Sequence, residues 1–200
     1  MSDATRIASY STPPNTEEFI LEKIFNGTYE RHQLDLVKRY VKPHHRVLEG
    51  GAGLGVVTRE IAKRAQFVVS CEANPSLAYH AKRNAPDAWV IWAQLTKNVH
   101  TGEAFGVQDA PHIAVHPPDN LVSGYDLNAL VLDIEGAEVE VLNEIDLDPI
   151  ELIIAELHPT RCRPDALQLA LIRLWGAGFD EKARIDDGDL NHCVWQKDAS

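Results

Sequence analysis

Five acids and one histidine stand where apolar runs end. Glu49 follows Val47-Leu48, Glu72 follows Phe67-Val68-Val69, Asp133 and Glu135 follow Leu130-Val131-Leu132, and Glu156 with His158 follows Leu152-Ile153-Ile154. Such runs read as buried parallel strands, and in an open parallel sheet ligands bind outside the carboxyl ends of the strands. Carboxylates there can accept hydrogen bonds from sugar hydroxyls or move protons. Behind Glu49 come Gly50, Gly51, Gly53 and Gly55, and then apolar Val56 and Val57, which reads as strand, tight loop, helix. Glycines let backbone approach a ligand closely, and the helix start turns unpaired N–H groups toward it. A nucleotide-like molecule is the natural occupant.

Spacing narrows the choice. In a dinucleotide fingerprint begun at Gly51 and Gly53 the third small residue would fall on Val56, and no Gly-Lys-Ser/Thr closes a phosphate loop. Glu72 lies 21 residues after Gly51, the separation at which an acid at the end of the second strand binds ribose hydroxyls.

The elements that must position these residues follow from periodicity. Helices are expected over Thr16–Asn26 and Glu30–Tyr40, with Pro43 closing the second and leaving His44 and His45 in an exposed loop. A third helix runs from the glycine loop to about Arg64, and a fourth begins with Asn74 as cap and Pro75 as first helical residue. A first strand is expected at Val47-Leu48, leading into Glu49, and others at Gln66–Glu72, Trp89–Ala93, Asn128–Ile134 and Glu151–Leu157. Helices follow at Glu138–Glu144 and Pro164–Trp175, the latter with Leu167, Leu171, Leu174 and Trp175 facing the core. Residues 178–184 and 191–197 supply two last strands around Asp186-Asp187-Gly188. Residues 96–120, including His100, are less regular and suit a hairpin or an excursion above the sheet. Strands alternating with helices mean an α/β fold, a mostly parallel sheet with helices on both faces.

Composition sets the bounds. Two hundred residues suit one domain, with 44% apolar and 24% charged residues as in ordinary globular chains. Thirty acids against 19 bases give a net charge of −11, which disfavours nucleic acid and anionic membrane as partners. Cys71, Cys162 and Cys193 lack C-x-x-C spacing, so neither a disulfide framework nor a zinc ribbon is expected, and reduced thiols fit a cytoplasmic protein. No apolar run is long enough for a membrane span, and no signal-peptide core is visible near the N-terminus.

The segments VLEGGAGLGVVT, SCEANP, LVLDIEGAEVEVL and LIIAELHP resemble the FkbM-type class I methyltransferases, which depend on S-adenosyl-L-methionine (SAM). The resemblance covers about residues 28–160 and is carried above all by Asp133-Ile134-Glu135-Gly136-Ala137-Glu138, with Tyr29-Glu30 similar to an aromatic-acid pair ahead of the first strand. It implies a Rossmann-like class I methyltransferase fold with a seven-stranded sheet and an antiparallel last strand. Residues 1 to about 16 are polar, with Pro13-Pro14, and read as an arm, which divides the chain into an arm and short helix over residues 1–27 and a SAM-binding domain over 28–200. Glu49 with Gly51, Gly53 and Gly55 would hold the methionine part of SAM, Glu72 the ribose, and Ala73, Asn74, Ala93 and Gln94 the adenine. Asp133 would face the cofactor's amino group or the acceptor.

An in-line transfer mainly needs an aligned acceptor, and a hydroxyl acceptor also calls for a base or a metal. Asp133 and Glu135 share one strand parity, as do Glu156 and His158, which makes Asp133 or His158 the candidate base. A Mg²⁺ between Asp133 and Glu156 is the nearest approach to a metal site; the sequence shows no dedicated cage and none is expected. The leading reading is O-methylation of a small molecule or sugar. The alternatives are a nucleic-acid methyltransferase and a module that binds SAM without turnover. Oligomeric state is not legible.

Overall fold

The computed structural model describes residues 10–96 and 113–198. Among them eight strands form one sheet in the order β4-β3-β2-β1-β5-β6-β8-β7. They are β1 (Arg46–Gly50), β2 (Phe67–Glu72), β3 (Trp89–Leu95), β4 (Ala114–His116), β5 (Ala129–Leu132), β6 (Leu152–Leu157), β7 (Phe179–Asp187) and β8 (Leu190–Lys197). The first six run parallel, and β8 is antiparallel to both β6 and β7. Eight strands replace the expected seven because Ala114–His116 pairs with Ala93–Leu95 and extends that edge.

Seven helices accompany them among the described residues: α1 (Glu18–Asn26), α2 (Arg31–Tyr40), α3 (Val56–Ala62), α4 (Pro75–Asn84), α5 (Pro118–Gly124), α6 (Glu138–Glu144) and α7 (Pro164–Gly176). Alternation along the buried strands divides the core. Val47, Val68, Ala129, Val131, Leu152 and Ile154 meet Leu36 and Val37 of α2 and Val57 and Ile61 of α3. Their neighbours Leu48, Val69, Leu130, Leu132 and Ile153 meet α5, α6 and α7 on the opposite face. The sheet is therefore covered twice, which is why β5 is apolar at every position and its neighbours keep their acids for the carboxyl ends.

Three expectations yield to packing. His45 is buried, not exposed: its Nδ1 accepts the Lys42 N–H at 3.0 Å in the tight turn before β1, and burial pushes the ring down to a pKa of about 4. On α7 the inner face is Ala170 and Leu174 with Leu167 and Leu171 beside them, and Trp175, one residue or about 100° further round, is 71% exposed. Helix α1 starts at Glu18 and buries no residue. Asn74 does cap α4, its Oδ1 accepting from Ser76 and Leu77, with Pro75 first in the helix. The first nine residues, His100 and the rest of 97–112 lie outside the described residues.

Candidate active site

Strand order brings the acids to one place. From β1 the chain moves outward through β2, β3 and β4, then crosses to β5 on the other side of β1, so the crevice at the switch point opens over the ends of β1 and β5. A cavity of about 570 Å³ lies there.

Its floor is the glycine loop. The Gly51 and Ala52 N–H groups donate to the Cys71 carbonyl at 2.9 and 3.2 Å, holding the loop against β2. Gly51 has φ +89°, and a Cβ on it would lie 1.8 Å from the Asp133 carbonyl oxygen, so only glycine lets the loops after β1 and β5 touch. Glu72 then ties the loops after β1 and β2 together, accepting from Gly53 N–H at 2.8 Å on Oε2 and from Asn74 N–H at 2.7 Å on Oε1. Burial raises its pKa above the ordinary carboxylate value, opposed only in part by these backbone donors.

The far wall is the acidic run after β5. Glu135 and Gly136 both take positive φ, 57° and 112°. The carboxylate that holds this bend is Glu138, fully buried, with Oε1 accepting from Ile134 N–H at 2.8 Å and Gly136 N–H at 3.1 Å. The same Oε1 lies 3.1 Å from Nδ1 of His158. Hydrogen bonding to Glu138, opposed by burial, raises the His158 pKa. Asp133 projects into the cavity, its pKa driven well up by burial and by Glu156, Glu30, Glu135 and Glu138 around it.

Of the expected site residues, Gly51, Gly53, Glu72, Ala73, Asn74, Ala93, Gln94, Asp133 and Glu135 all line this cavity. Glu49, Gly55 and His158 do not. Glu49 lies beneath the loop, its Oε2 accepting from Ser70 Oγ at 2.6 Å, and burial pushes its pKa to about 7. Gly55 heads α3 at φ +77°, where a Cβ would lie 2.8 Å from Ala81 Cα, so it serves the approach of α3 to α4. His158 is 4% exposed and turned into the acids, one layer behind the cavity wall.

Sequence reasoning missed the part played by Glu30. It sits at the head of α2 with φ 49°, and it faces Asp133 and Glu156 across the crevice. Beside it Tyr29 lines the same wall, its hydroxyl pKa pushed far up by burial and the neighbouring acids. Their adjacency to a later acidic motif has no local signal; only the Tyr-Glu pair itself was visible.

Comparison with known proteins adds a fold. No family model matches this sequence, and no curated protein does. Solved structures do match. A precorrin-6y C5,15-methyltransferase from Geobacter metallireducens is 14% identical, with 95% of this chain and 96% of that chain covered and a TM-score of 0.53. The 23S rRNA methyltransferase ErmE is 20% identical, with 85% and 68% covered and a TM-score of 0.52. A ribosomal protein L11 methylase from Lactobacillus delbrueckii subsp. bulgaricus is 15% identical, with 85% and 79% covered and a TM-score of 0.52. The fold is the Rossmann-like class I methyltransferase fold. One structure sharing it carries an rRNA substrate in its name, so the fold itself leaves nucleic acid open as an acceptor, against the expectation from net charge. No described helix is long and apolar enough to cross a membrane.

Proposed function

We propose that this protein is a SAM-dependent methyltransferase of the FkbM type, acting on a hydroxyl of a small molecule or sugar. The observation that carries the reading is Glu72, an acid at the end of β2 held by two backbone N–H groups on the edge of a cavity at the switch point of a methyltransferase fold. Each Glu72 oxygen accepts one backbone bond and keeps lone pairs for ribose hydroxyls. The space fits the group as well. Gly53, at φ +51°, has nothing nearer than the Tyr29 hydroxyl at 3.9 Å from where a Cβ would stand, so its backbone is open to a ligand. Gly51 and Gly53 would hold the methionine part, Ala73, Asn74, Ala93 and Gln94 the adenine, and Asp133 the amino group or the acceptor. Bound there, SAM supplies a methyl group already activated by its sulfonium leaving group.

What the chain itself must do is place and deprotonate the acceptor. Asp133 is the one expected catalytic group that both lines the cavity and has its basicity raised by burial. The FkbM assignment rests on the bend that Asp133-Ile134-Glu135-Gly136-Ala137-Glu138 makes and on Tyr29-Glu30 at the same wall. Calorimetric titration with S-adenosylhomocysteine, with NAD as control, tests the cofactor. Binding of the first alone supports the reading and justifies an acceptor screen with sugar, small-molecule and RNA arms; NAD binding, or none, overturns it.

A further inference from the structure

We propose that Asp133, Glu30 and Glu156, with Glu135 and His158 Nε2 alongside, bind one divalent cation of the Mn²⁺ or Mg²⁺ class beside the cavity. The oxygens of Glu30, Asp133 and Glu156 all lie within 4.8 Å of one another, and so do the ligand atoms of Asp133, Glu135 and His158. Asp133 is common to both sets. Three separate elements converge to make them: the head of α2, the bend after β5 and the end of β6. Among the described residues no lysine or arginine is paired with Asp133 or Glu156; Arg161 is taken up by Glu135.

The acids are not the whole of the observation. His158 is 4% exposed, and its Nδ1 is held by the carboxylate of Glu138, the outer contact that metal-bound histidines ordinarily have. Its Nε2 makes no hydrogen bond among the described residues and faces the cluster, 3.4 Å from Glu135 Oε2 and 3.8 Å from Glu156 Oε1. A second imidazole, His192, is buried with an Nδ1 that makes no hydrogen bond, 3.2 Å from Glu156 Oε2. One buried ring nitrogen without a hydrogen bond, His192 Nδ1, and the Nε2 of His158 thus lie against a carboxylate whose own side chain is only 9% exposed.

Carboxylates select hard cations, and a single imidazole among them favours Mn²⁺ over Ca²⁺. The sequence expectation of no metal overlooked Glu30, which only the fold delivers. Resting on the methyltransferase reading, the cation's place beside Asp133 and Glu30 on the cavity wall gives it a use. A hydroxyl of the acceptor would complete its coordination and pass its proton to the Asp133 oxygen that the cation leaves free, the base of the proposed function.

The test is titration of chelator-treated protein with MnCl₂, read by calorimetry and by the paramagnetic resonance signal of free Mn²⁺. One ion per chain is expected, with affinity at least about tenfold weaker in Glu156→Gln and in Asp133→Asn. Mn²⁺ should raise the unfolding temperature of the parent protein and not of either variant. Absence of saturable Mn²⁺ binding, or unchanged affinity in both variants, overturns the proposal. Titration with S-adenosylhomocysteine in excess chelator separates the two readings: that binding without Mn²⁺ binding removes the metal alone, and Mn²⁺ binding without it removes the cofactor alone.

Discussion

Glu72 spends both carboxylate oxygens on backbone N–H groups, so the acid proposed to bind ribose is also a clasp between two loops. Truncation should show both roles. Glu72→Ala is expected to weaken S-adenosylhomocysteine binding by at least about tenfold and to cost roughly 1–3 kcal/mol for the donors left unpaired. Calorimetry reads the first effect and denaturant unfolding the second; unchanged affinity would remove the ribose assignment. Glu49 makes a different prediction because it is sealed from the cavity. Its carboxyl moves from an ordinary 4.5 to about 7 on folding, so between those values the native state holds the extra proton. Its contribution is present below about pH 4.5 and lost as pH rises through 7. Glu49→Gln, which cannot ionise, should therefore gain on the parent protein in unfolding temperature between pH 5 and pH 8. A gap that does not widen with pH would contradict the buried charge.

Among the elements, α3 and α4 meet through Gly55 and Ala81 so closely that a methyl group has no room. Gly55→Ala adds that methyl at a positive φ, and a loss of about 2–4 kcal/mol is expected in denaturant unfolding, with the cofactor-binding residues untouched. Helix α7 gives the opposite case. Trp175 stands out to solvent with Leu169 and Ile172, and Trp175→Ser should shift stability by no more than about 0.5 kcal/mol. A large loss there would mean that the outer face of α7 is covered in solution. The two glycines of the loop differ in the same way: Gly51 is required by contact with the Asp133 carbonyl, Gly55 by contact between helices. Their regular spacing in sequence conceals two separate causes.

For the whole molecule, the division at residue 28 remains a proposal with a direct test. Helix α1 buries nothing, and the described arm is tied down by Ser11, which exchanges hydrogen bonds with Asn84 and meets His80 Nδ1 at 2.7 Å. A chain begun at residue 28 should fold cooperatively and lose no more than about 3 kcal/mol, since each of these bonds is worth about 1. Loss of cooperative unfolding would make the arm part of the domain. Much of the rest was legible in the chain itself. Apolar runs ending in acids specify parallel strands and the edge at which they act, because period and burial are local properties. Asn74-Pro75 specifies a helix start for the same reason. Which acids share a site is decided by strand order and by the angle at which α2 enters, and these bring Glu30 to Asp133 and Glu156 across more than a hundred residues. The exchange of Trp175 and His45 between surface and core, and the place of Glu49 beneath the loop, were likewise settled by packing. A residue's type says what it can do, and only its neighbours in space decide whether it faces water, a ligand or the core.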